Sequence, residues 1–170
     1  MEELQVRAVE ILTVGLLLSG CTGGGSVAPA KFQLEGSLSV VMDLGWDECV
    51  LDTTSDEIAV RFVRKRGATM DTSLKVVWAQ AGQVFNTPST IDLAEARPDD
   101  PNRQRSIVTR NVLDDKRSVF PKVIRGKMSF FDQIRPDTSV KGQLNLTFEN
   151  GIEFANGRTV YGPFTAKVPP

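Results

Sequence analysis

From residue 37 onward, apolar and polar residues alternate with a period of two, broken by turns rich in Gly, Pro, Asn and Asp. That alternation turns one face of each segment to a core and the other to water, the pattern of a half-buried β-strand. Leu38, Val40, Met42 and Leu44 predict a first strand, continued by Cys49 to Leu51 after a bend at Gly45-Trp46. Ile58, Val60 and Phe62 predict a second, stopped by Lys65-Arg66-Gly67, and Leu74, Val76 and Trp78 predict a third. Ile91 and Leu93 suggest a short fourth. The stretch Arg97-Pro98-Asp99-Asp100-Pro101-Asn102-Arg103 is the strongest loop, since two prolines bar both helix and ladder. Ile107 to Val112, then Ile124, Met128 and Phe130, resume the alternation.

The clearest strand runs from Val140 to Phe148, and Asn150-Gly151 after it is the preferred pair for a two-residue type I′ hairpin turn. Ile152 and Phe154 then open a return strand, and Tyr161, Phe164, Ala166 and Val168 close the domain. Seven to nine short strands separated by turn signals predict an all-β domain, an antiparallel β-sandwich or a partly open barrel.

The first 34 residues obey a different pattern. Ile11 to Leu18 is an apolar run interrupted only by Thr13 and Gly15. It falls far short of the roughly 20 apolar residues a spanning helix needs, and suits the apolar core of a cleavable signal. Ser19 and Gly20 supply small residues before Cys21, and Gly23-Gly24-Gly25 follows as a flexible spacer. Leu18-Ser19-Gly20-Cys21 resembles the lipobox of bacterial lipoproteins. The resemblance implies cleavage before Cys21, acylation of that cysteine, and attachment to a membrane through its lipid. The expected organisation is a signal over 1–20, a lipidated cysteine and tether over 21–34, and a β-domain over 35–170. One departure is that Glu2, Glu3 and Glu10 outnumber Arg7, where such signals begin basic. Thr22 after the cysteine resembles lipoproteins sorted to the outer membrane of Gram-negative bacteria.

A second resemblance lies at the other end. Gly142-Gln143-Leu144-Asn145-Leu146-Thr147-Phe148-Glu149-Asn150-Gly151, with Gly162-Pro163-Phe164-Thr165-Ala166 after it, is similar to the ending of small β-rich lipoproteins from myxobacteria and related Gram-negative bacteria. It implies a location and an architecture, and no activity. Those proteins often end in a cysteine; this chain ends in Val168-Pro169-Pro170, which leaves Cys49 without that partner.

Removing residues 1–20 takes away three acids and one base and moves the formal charge from −1 to +1. A near-neutral domain has no field to steer nucleic acid, so the expected partners are the membrane, a surface polysaccharide or another envelope protein. The chain contains no histidine, which removes the commonest general base and a common zinc ligand together. Cys49 is the one thiol left after lipidation, and a buried, inert thiol is expected there. No Gly-rich phosphate loop, Cys/His metal spacing or nucleophile elbow is present, so neither cofactor nor metal is expected.

The acids Asp43, Asp47, Glu48, Asp52, Asp56 and Glu57 crowd one stretch. They lack the Asp/Asn spacing and central glycine of a calcium loop, which leaves a solvated connection as the simpler account. A glycosidase-like pair drawn from them is the alternative reading, an envelope hydrolase, and needs two carboxylates at a set separation with one pKa raised. Arg61, Arg64, Lys65 and Arg66 suit a protected strand edge. The leading expectation is a non-catalytic, lipid-anchored envelope domain that binds or builds. The candidate site residues are Cys21 for lipid attachment, and Arg103 and Arg105 on the proline loop with Trp46, taken as exposed in its bend, for an acidic polysaccharide.

Overall fold

The computed structural model describes residues 29–81, 88–151 and 154–170; Cys21 and the predicted signal lie outside them. Ten strands occur among the described residues, and no helix. They are β1 (Phe32–Gln33), β2 (Gly45–Trp46), β3 (Glu48–Thr53), β4 (Glu57–Arg66), β5 (Thr69–Ala79), β6 (Ser89–Asp92), β7 (Ser106–Asn111), β8 (Val123–Phe130), β9 (Ser139–Phe148) and β10 (Thr159–Lys167). β1 and β2 form a small ribbon, and the other eight form one curled sheet in the order β6-β8-β9-β10-β3-β4-β5-β7.

The chain is therefore all-β, in the partly open barrel form. Its neighbours are antiparallel except at one seam, where β10 runs parallel to β3 through Ala166↔Cys49 and Lys167↔Val50. That pair joins the two halves of the chain into a single sheet curled round one core, where a sandwich would have two sheets facing each other. The alternation in β9 is as read: Val140, Leu144, Leu146 and Phe148 are fully buried while Lys141, Gln143 and Asn145 face out. Ile58, Val60 and Phe62 of β4 meet Leu74, Val76 and Trp78 of β5 in the same core.

The edges are tied by side chains. Gln104, just before β7, clamps the first residue of β8: its amide nitrogen donates to the Val123 carbonyl and its oxygen accepts the Val123 N–H at 3.1 Å. Ser106 Oγ donates to the Leu93 carbonyl, and Phe120 N–H reaches Val108 O at 3.2 Å. The edge carbonyls and amides at this seam thus find partners within the chain.

Several sequence expectations are corrected. Residues 37–42 form turns, not a strand: Ser39 N–H donates to Gly36 O and Val41 N–H to Leu38 O. Leu38 and Met42 are buried from this turn while Val40 is 81% exposed, so the apparent alternation masked a four-residue spacing. Asn150-Gly151 is no type I′ turn, because neither residue has positive φ. The β9–β10 connection runs from 149 to 158, and the left-handed position falls on Gly157 at φ 60°. Phe154 stacks edge-on against Phe120 at 5.3 Å and Ala155 is buried. Burying these residues over the core outweighs a two-residue turn, whose immediate return strand would leave them without that cover. In β8 and β10 the inward set is Val123, Met128, Phe130 and Val160, Phe164, Ala166; Ile124 and Tyr161 face out. Just ahead of residue 35, Leu34 is fully buried and Phe32–Gln33 pairs with Gly45–Trp46.

Candidate functional site

β10 and β3 touch over only two residue pairs and then part. Toward the start of β10 the arm at 32–35 enters the space between them. Glu35 exchanges both backbone hydrogen bonds with Tyr161, at 2.9 and 3.0 Å, and Phe32 pairs with Trp46 on the opposite side. Between this arm and the parallel pair an opening remains in the barrel wall. Strand alternation explains why it stays open. Tyr161 turns its N–H and C=O to Glu35, so the main chain of Pro163, two residues on, faces the same way, and proline has no N–H to strand there.

The opening is a cavity of about 630 Å³, within the usual range of small-molecule sites. Its floor is apolar. Phe164 and Trp46 are buried, Phe62 stands edge-on to both at 5.9 and 5.5 Å, and Gly142 admits the Phe164 ring, since a Cβ there would lie 2.4 Å from Phe164 Cζ. Phe32, stacked on Trp46 at 4.5 Å, and Phe131 stand at the lips with more than half their surface exposed. Lys31, Lys65, Lys141 and Lys167 also line it, with Asp47 and Glu48.

Both carboxylates are already engaged. Asp47 accepts the Lys65 N–H at 2.8 Å and the Lys31 N–H at 3.1 Å, and these amides hold its carboxyl below the usual range. Glu48 takes the Lys167 ammonium at 2.8 Å and lies 3.7 Å from that of Lys65, which likewise lowers its pKa. Cys49 also lines the cavity, buried, with its thiol pushed up to about 12 by that burial. At such a value it is neither a nucleophile nor a ready metal ligand.

The rest of the acidic stretch disperses. Asp43 pairs with Arg64 and accepts Gly45 N–H at 2.9 Å; these contacts outweigh the upward push of burial and leave its pKa lowered. Asp52 holds Arg61 through two bonds of 2.7 and 3.2 Å. Among the described residues no three Cys, Asp or Glu side chains gather as a metal site. The basic run Arg61–Arg66 lies on central strand β4 rather than at an edge, and much of it serves ion pairs, including Arg66 with Asp71 and Asp114.

The proposed polysaccharide set is not brought together. Arg105 is 1% exposed: Nε donates to Ala79 O at 2.8 Å, Nη2 to Gln80 O at 2.5 Å, and Nη1 to Glu95 at 3.2 Å. Its donors are spent inside the protein. Arg103 is exposed beside a separate groove with Gln104, Ile107 and Lys122. Trp46, expected to be exposed, is 5% exposed because Phe32 and Phe62 pack on it. Sequence reasoning missed the cavity itself. Its one sequence mark is Pro163 inside a strand, the signature of a local edge.

No family model, no curated protein and no solved structure matches this chain. No helix among the described residues is long and apolar enough to cross a membrane.

Proposed function

We propose that this is a lipid-anchored domain of the bacterial cell envelope, held through Cys21, that works by binding a small ligand in the opening between β3 and β10. The lipobox-like Leu18-Ser19-Gly20-Cys21 supports the anchor and Thr22 an outer-membrane address. The observation that carries the binding role is the gap inside the sheet, where β10 and β3 pair over two residues only, lined by Phe32, Trp46, Phe131 and Phe164. Phe32 and Phe131, more than half exposed at its lips, leave apolar surface in water that a ligand in the opening would cover.

A hydrolase is the second reading, favoured by Asp47 and Glu48 lining one cavity. Both carboxyls are held below the usual range, the reverse of what a general acid requires. Replacement of Thr165, which lines the opening, by Trp tests the binding role. Loss of ligand with an unchanged unfolding midpoint is expected; retention of the ligand contradicts the assignment.

A further inference from the structure

We propose that the ligand of this cavity is an amphipathic anion: one carboxylate, phosphate or sulfonate head on an apolar body. The inference rests on the binding role just proposed and adds the chemistry of its ligand. The floor supplies the apolar half, through Phe164 and Trp46 below and Phe32 and Phe131 at the lips. The lining charges supply the other half. Four lysines and two acids line it, an excess of two positive charges at one opening.

The charges are not evenly spent. Glu48 engages Lys65 and Lys167, whereas Lys31 and Lys141 have no carboxylate within ion-pair distance among the described residues. Asp132, outside the lining, accepts the Lys141 backbone N–H at 2.9 Å and makes no ion pair among the described residues. Lys31 acts on Asp47 only from beyond ion-pair distance, so neither ammonium is held in a close pair, and an incoming head group can engage both beside low-dielectric aromatic walls, where a charge pair gains more than in open water. A neutral ligand would leave this excess unanswered, and a fully polar anion would leave the rings wet. The concave shape favours a free small molecule over a flat bilayer surface.

The test uses the full 170-residue chain with Cys21→Ser, which removes the acceptor thiol. Anilinonaphthalene sulfonate, itself an aromatic anion, is bound and then displaced by decanoate or by decanol, its neutral counterpart. Decanoate is expected to displace the probe at least tenfold more effectively than decanol. Lys31→Gln with Lys141→Gln is expected to raise the half-displacing decanoate concentration about tenfold, and Thr165→Trp to abolish displacement. Equal potency of decanoate and decanol, or indifference to the two lysine changes, overturns the anion proposal while leaving the binding site in place. Displacement that survives Thr165→Trp, or a probe that neither amphiphile displaces, overturns the binding site as well. Sedimentation with phosphatidylglycerol vesicles while decanoate leaves the probe bound would assign the lysines to a bilayer and also contradict the proposal.

Discussion

The guanidinium of Arg105 lies 3.8 Å from the ring centroid of Trp78. With the carbonyls of Ala79 and Gln80 and the Glu95 carboxylate around its edge, it bolts the end of β5 to the segment that enters β7. Arginine suits the place because its planar fork stacks and donates at once. Removing it orphans two carbonyls and a ring face. Arg105→Ala is expected to destabilise the fold by about 3 kcal/mol or more, read as a lower denaturant midpoint. Arg105→Lys should recover little of the loss. An unchanged midpoint for Arg105→Ala would contradict this structural role.

The β9–β10 connection makes opposite predictions for two glycines. Gly151 has open space around it and no positive φ, so Gly151→Val is expected to change stability by less than about 0.5 kcal/mol. Gly157 sits at φ +60°, with Asn150 Oδ1 2.5 Å from where a Cβ would stand. Gly157→Val is expected to cost about 1–3 kcal/mol. Denaturant unfolding of the pair decides between this loop and the tight turn the sequence advertises.

Asp115 carries an acid-stability prediction. Arg117 donates to it through Nε and Nη2, both at 2.8 Å, and Arg110 lies 3.4 Å away. Chiefly through the Arg117 bonds its pKa falls to about 2. A depressed folded-state pKa means that the contribution is whole above the unfolded value near 4 and is lost as pH falls toward about 2. Asp115→Asn should therefore flatten the loss of stability between about pH 4 and about pH 2 in a series of unfolding curves. An undiminished slope there would remove Asp115 from the account.

The anchor is tested by labelling. Cys21→Ala is expected to abolish incorporation of a palmitate analogue and to leave uncleaved precursor. Labelling that persists in this variant contradicts the attachment site.

The strands with strict alternation and a buried inner face were legible: β9 reads straight from Val140, Leu144, Leu146 and Phe148, and β4 from Ile58, Val60 and Phe62. Errors came where tertiary burial overrode a local signal. Phe154 and Ala155 are held at the core end and stretch the hairpin that Asn150-Gly151 predicts. Leu38 and Met42 reach the core from a turn. The cavity was hidden for a different reason. It is formed by residues far apart in sequence, Phe32, Trp46, Phe131 and Phe164, through the parallel β10–β3 pairing. Composition carries no trace of such a pairing. By sequence Arg105 is a surface cation, since it follows a polar loop, yet a buried arginine is satisfied mostly by backbone carbonyls that the sequence does not mark.

The most direct test of the central claim is an amide chemical-shift titration of the Cys21→Ser chain with decanoate. Perturbations confined to residues round the opening, with Phe32, Trp46, Cys49, Gly142 and Thr165 largest and saturating together, are predicted. Shifts centred on Arg103 and Lys122, or scattered without saturation, would contradict the assignment of the β3–β10 opening as the ligand site.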